Sequence, residues 1–129
     1  MISINLAGVS FTNPTELALE VKQQVIVRHH EKYDDSERAL GVHTEEGKLI
    51  GWIPKLETLQ KYINKFKEEN NETQMLMHSD RKVITESLRD NIQTDMFRNH
   101  INVMGTVNRL RQDYDTGEVY SVSVSFDYM

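Results

Sequence analysis

The densest group of side chains able to do chemistry is Arg28-His29-His30-Glu31-Lys32-Tyr33-Asp34-Asp35. A cluster of cations and imidazoles runs into an acidic pair, a composition that suits a phosphate group. It equally describes a solvated strand end with local ion pairs, each worth less than about 1 kcal/mol. Metal binding is not expected there, because adjacent residues of a strand point to opposite faces. His43, His78 and His100 show no ligand spacing either. Phe11 is the second candidate. It closes an alternating stretch and suits stacking on a base, worth about 1–3 kcal/mol in single-strand binders, or the rim of a core. Asp113, Asp115 and Glu118 flank Gly117 and read as turn chemistry rather than a catalytic carboxylate set. No nucleophile–base pair and no phosphate loop stands out, so no enzyme, cofactor or metal is expected.

Composition narrows the classes. The chain has 129 residues, enough for one domain around one core. It has no cysteine, which excludes disulfides, thiolate zinc sites and a thiol nucleophile. No apolar run approaches the roughly 20 residues of a membrane span. The start, Met1-Ile2-Ser3-Ile4-Asn5, lacks the basic and apolar blocks of a signal peptide, so a cytoplasmic location is expected. The net charge of −5 argues against a protein that coats a duplex, which needs a broad basic face. A nucleic-acid site would have to be a local patch assembled by folding.

The elements that position these residues follow from periodicity. Residues 2–11 alternate, with Ile2, Ile4, Leu6 and Gly8 on one side, and predict a half-buried strand ending at Ser10-Phe11. Thr12-Asn13-Pro14-Thr15 is a turn. Residues 15–19 form either a short helical turn capped by Thr15 or a direct lead into the next strand. Val21 to His30 predicts a strand around Val25, Ile26 and Val27, and 31–38 a loop. Ala39–Thr44 and Leu49–Ile53 predict a hairpin turning at Glu45-Glu46-Gly47-Lys48. Pro54 ends that strand and suits helix entry. Leu56, Leu59, Ile63 and Phe66 predict a helix over 56–69. Residues 73–78 read as a short strand or a linker. Ile84, Leu88, Ile92 and Met96 predict a second helix over about 80–98, capped by Ser79 or Asp80. Ile101–Tyr114 and Glu118–Tyr128 predict two long strands joined at Asp115-Thr116-Gly117. Four strands, two helices and two strands give an α+β domain over 1–129. The expectation is a small antiparallel six-stranded β-barrel, with two helices inserted between strands 4 and 5, since curling removes exposed edges.

Several of these stretches together resemble the HIRAN domain family. They are Gly8-Val9-Ser10-Phe11, Val25-Ile26-Val27-Arg28, Tyr33-Asp34-Asp35, Ala39-Leu40-Gly41-Val42 and Gly47-Lys48-Leu49-Ile50-Gly51-Trp52-Ile53-Pro54, in that order. The match covers roughly residues 4–56. The chain departs from the pattern at His29-His30-Glu31-Lys32, in place of a proline-containing loop, and at Arg38, in place of asparagine. The resemblance implies a stand-alone bacterial or phage HIRAN-like domain, an SH3-like barrel without catalysis. It implies binding of single-stranded DNA, including its 3′ end, in repair or replication. It places Phe11 at a base-stacking position, Arg28, His30 and Lys55 at phosphate positions, and Tyr33 with Asp34 or Asp35 in the loop that meets a terminal hydroxyl. The alternative is a protein–protein adaptor using a sheet edge or the second helix with its Met96-Phe97 pair, a role that the acidic balance favours. The long terminal strands also allow a homodimer.

Overall fold

The computed structural model describes residues 1–30 and 39–128, and not the His30 side chain. Among these residues, the chain forms six strands and two α-helices. The strands are β1 (Ile2–Asn5), β2 (Gln24–His30), β3 (Ala39–Thr44), β4 (Leu49–Trp52), β5 (Met104–Gln112) and β6 (Val119–Phe126). The helices α1 (Leu56–Glu68) and α2 (Glu72–Gln93) lie between β4 and β5 in the chain. All six strands form one antiparallel sheet in the order β1-β6-β5-β2-β3-β4. The sheet curls until its two ends touch. Ala7 N–H donates to the Trp52 carbonyl (2.8 Å) and Trp52 N–H donates to the Ala7 carbonyl (2.9 Å), a single bridge between the chain after β1 and β4.

Alternation along each strand fills the inside of the curl. Val25 and Val27 of β2, Leu40 and Val42 of β3, Ile50 of β4, Val107 of β5, and Val122, Val124 and Phe126 of β6 are all buried in one cluster. The open side is closed by α2, whose Leu88 and Ile92 join the same cluster. Arg89, between them, is buried too. Its Nη1 donates to the carbonyls of Ile53 and Pro54, each at 3.2 Å. These carbonyls lie where β4 gives way to α1, so the arginine fixes the helical hairpin to the sheet while satisfying buried acceptors.

Element boundaries differ from the pattern-based expectation in places with local causes. β1 stops at Asn5 rather than Phe11. Gly8 takes φ 68° and Val9–Phe11 wind into a single 3-10 turn, held by Phe11 N–H to Gly8 O (3.1 Å). The Thr12 hydroxyl then ties this turn to β4 through Ile50 O (2.6 Å). Of the two alternatives at 15–19 the chain takes the helical turn, a second 3-10 turn over Pro14–Leu17. Asn13 rather than Thr15 precedes it, and the Thr15 hydroxyl instead accepts from Val119 N–H (2.9 Å). β2 begins at Gln24, because Ala18 and Lys22 have positive φ and break extension. The second helix starts eight residues early, at Glu72. Asn70 turns the chain at φ 55°, and the Asn71 side chain accepts from Gln74 N–H (3.4 Å) as N-cap. The stretch 73–78 is thus helix, neither strand nor linker. The same helix ends at Gln93, and a wider π-type turn covers Thr94–Arg98. In β6 the alternation holds from Ser121 to Phe126, but a register shift opposite Arg111/Gln112 makes Tyr120 an extra residue. Tyr120 is exposed and Val119 buried.

Candidate functional site

The pairing register brings four residues into one row across four neighbouring segments. Arg28 lies opposite Gly41, Gly41 opposite Trp52, and Trp52 opposite Ala7. Directly paired residues of an antiparallel sheet share a face, so Arg28 and Trp52 project on the same side. They stand roughly 10 Å apart, two inter-strand spacings. Gly41, between them, has no side chain to fill the gap. This is the face away from the core: Val27 and Val42, the next pair along, point inward. Arg28 is exposed and Trp52 half-buried.

Beyond Trp52 the row opens into a cleft of about 260 Å³. It is lined by Ala7, Gly8, Ala39, Trp52, Ile53, Lys55 and Thr58. Gly8 is required here on two counts. Its φ of 68° disfavours any side chain, and a Cβ would sit 2.6 Å from Cε3 and Cζ3 of the Trp52 ring. The glycine backbone therefore lies against the indole and fixes one wall. The other wall is the start of α1, where Lys55 is the N-cap residue. His30 pairs with Ala39, so the residues that flank 31–38 lie side by side, and Ala39 lines the cleft.

Of the residues singled out from sequence, Lys55 lines this cleft, and Arg28 occupies the row that leads to it. Phe11 lines neither. Its side chain is 86% exposed on the 3-10 turn that starts after Gly8, three residues from the cleft wall. His30 contributes its backbone to β2. Tyr33, Asp34 and Asp35 lie outside the described residues. The residue that sequence reasoning undervalued is Trp52, which entered only as part of the Gly47–Pro54 stretch. The signal for it was the pairing of Gly8, Gly41 and Trp52, three positions far apart in the chain, and no local pattern carries that.

Other candidates resolve into structure. Asp113 Oδ1 accepts from the N–H groups of Asp115 (2.9 Å) and Thr116 (3.1 Å), bonds that hold its carboxyl below the ordinary value. That is turn chemistry, as expected. His43 is buried, with Nδ1 3.3 Å from Gly41 O. The rings of His29 and Phe97 are nearly perpendicular, with centroids 5.3 Å apart. No group of three or more His, Cys, Asp or Glu suited to a metal occurs among the described residues, and no described helix is long and apolar enough to cross a membrane. Compared with models of known families, with curated proteins and with solved structures, the chain matches none.

Proposed function

We propose that this chain is a HIRAN-like module, an SH3-like barrel that binds single-stranded DNA without acting on it chemically. The observation that supports this reading is the row Arg28–Gly41–Trp52–Ala7, which leads an exposed cation past a half-buried indole into a cleft edged by Lys55. A cation followed by an aromatic face is the combination that single strands recognise, phosphate on one and base on the other. At about 260 Å³ the cleft is below the roughly 300–1,000 Å³ of small-molecule sites. It suits the end of a strand better than a cofactor. In this reading Trp52 and the nearby Phe11 take bases, while Arg28, His30 and Lys55 take phosphates. Tyr33 with Asp34 or Asp35 keeps the 3′-hydroxyl role that the family resemblance implies. The local character of the site fits the net charge of −5, which leaves no broad basic face for duplex DNA.

Trp52 is the only tryptophan, so its fluorescence reports on the cleft directly. A short labelled oligonucleotide, with its 3′ hydroxyl free or phosphorylated, is titrated at two salt concentrations. Binding is expected to quench Trp52 and to weaken with salt. Lys55→Ala should lower the salt slope by about one, and Phe11→Ala should cost about 1–3 kcal/mol. Absence of binding at low salt ends the proposal and leaves the adaptor reading. Binding that responds to salt but not to the blocked end keeps DNA and removes end recognition.

A further inference from the structure

The first strand carries a second, independent feature on its outer edge. In an antiparallel ladder, successive residues turn their backbone groups alternately toward and away from the partner strand. Leu6 N–H donates to Val122 O (2.9 Å), so Leu6 faces β6. By the register, Ile4 opposite Val124 and Ile2 opposite Phe126 do the same. Ser3, Asn5 and Ala7 therefore turn their N–H and C=O groups the other way. Those of Ala7 are used by Trp52. Continuing that pairing by two residues would place Pro54 opposite Asn5. Proline has no N–H to give, and the chain enters α1 at Leu56. The ladder stops there. Among the described residues, the outward backbone groups of Ser3 and Asn5 have no backbone partner.

This edge, though short, carries no guarding charge, proline or bulge, the devices that protect natural edge strands. The edge forms one wall of a groove of about 180 Å³. The rest of the lining comes from α2, with Arg81, Ile84 and Thr85, from Pro54 and Leu59, and from Ser123 of β6, the residue paired with Asn5. Ile84 is 45% exposed at this groove. Arg81 is exposed and makes no ion pair among the described residues.

We infer that this groove takes an extended, acidic peptide segment of a partner protein by strand addition. The peptide backbone pairs with Ser3 and Asn5, an apolar side chain rests on Ile84 and Leu59, and a carboxylate meets Arg81. Main-chain bonds supply the affinity and the alternate side chains the selectivity, as in other strand-addition sites. The charge decides between occupants. A second copy pairing through its own first strand would bring Met1–Gly8, which contains no acidic side chain for Arg81. Single-stranded DNA would find one cation and no aromatic in the groove. The site uses residues 3–5 and is separated along the strand from the Trp52 cleft, which uses residues 7 and 8.

The test is an NMR titration of the ¹⁵N-labelled protein with blocked pentapeptides of alternating Thr and Val, a single Glu scanned through the positions. The expected result is a shift of the Ser3 and Asn5 amides with slower hydrogen exchange at both. Replacing Glu by Lys in the best peptide, or Arg81→Ala in the protein, should weaken binding about two- to fivefold, the scale of an exposed ion pair. N-methylation of alternate peptide nitrogens should abolish it. Asn5→Pro, which removes one outward N–H, should do the same while the amides of β2 to β5 stay in place. If that variant fails to fold, the N-methylated peptide and Arg81→Ala still decide. The inference is overturned by any of four results: no shift with any peptide, binding indifferent to N-methylation, protection of Ser3 and Asn5 that grows with protein concentration alone, or the same shifts from an oligonucleotide.

Discussion

The parts of α2 before and after Thr85 both carry apolar side chains, with opposite fates. From Thr85 onward, Leu88 and Ile92 are wholly buried, with Thr85 itself and Arg89 beside them. Before Thr85, Leu76 is 62% and Val83 67% exposed, and Met77 and Ile84 are also open to solvent. The difference is not in the helix but in what lies opposite it. The part from Thr85 onward closes the curled sheet. The part before Thr85 packs mainly on α1, which buries a single residue, Leu59, and it nears the sheet only where Arg81 and Ile84 border the groove beside β1. An apolar stripe thus reports that a helix forms, while burial depends on whether the sheet reaches that far.

The strongest way to break this contrast is to truncate one leucine in each half. Leu88→Ala should cost about 2–5 kcal/mol, the transfer and cavity terms of a filled site. Leu76→Ala should stay within about 0.5 kcal/mol, as for a surface change. Both are read from urea unfolding midpoints at constant slope. A cost above 1 kcal/mol at Leu76 would mean that the first half is covered in solution, for example by self-association, and would erase the contrast.

A second pair of variants applies the same logic to the sheet. Gly8 and Gly47 both have positive φ, at 68° and 91°. A Cβ at Gly47 meets nothing within 4 Å, whereas one at Gly8 strikes the Trp52 ring at 2.6 Å. Gly47→Ala should therefore cost only the backbone term, about 1–2 kcal/mol. Gly8→Ala should cost that and about 1–3 kcal/mol of overpacking, and it should move the Trp52 emission. Equal costs, with unchanged emission, would show that the indole yields freely and that the cleft wall is not fixed by Gly8.

These contrasts explain how much of the molecule can be read from its sequence. The hairpin of β3 and β4 is legible because Gly47 sits in the turn and the flanking apolar residues are local. The same holds for α1, whose residues 56–68 nearly match the stripe. The first strand is not. Its alternation continues to Phe11, but the chain leaves extension at Gly8, where it packs on a tryptophan 44 residues away in the sequence. The early start of α2 hangs on the Asn71 cap, while Thr73 to His78 have no apolar spacing that favours helix over strand. The candidate site behaves likewise. Lys55 follows from the proline before it, but the alignment of Arg28 with Trp52 needs the register of three strands. Ser3 and Asn5 become interesting only because Pro54 falls opposite one of them.

The smallest expected effect sharpens the contrast at the open end of the hairpin. His78 of α2 stacks on Tyr62 and Phe66 of α1, with ring centroids 5.4 and 5.1 Å away and the planes nearly parallel. Its Nδ1 is dry and makes no hydrogen bond. Two influences oppose each other. Aromatic faces favour an imidazolium, while burial, and then the positive charge of Arg81, disfavour it. The latter prevail, so His78 is held below its ordinary value of 6.5. The sign follows from proton counting. Between the ordinary value and the lowered one, the unfolded chain binds more protons at this site than the folded one. The His78 contribution to stability is therefore complete above about pH 6.5 and declines as pH falls below it. It levels off once the folded state is protonated too. An NMR titration of the imidazole should give a midpoint below 6.5. The loss of stability between pH 7.5 and pH 5.5 should be smaller in His78→Phe than in the parent chain, because other histidines cancel in the difference. A midpoint at or above 6.5 would mean that the aromatic faces outweigh burial and that the ring edge is wet, leaving the first half of α2 more loosely held to α1 than the stacking implies.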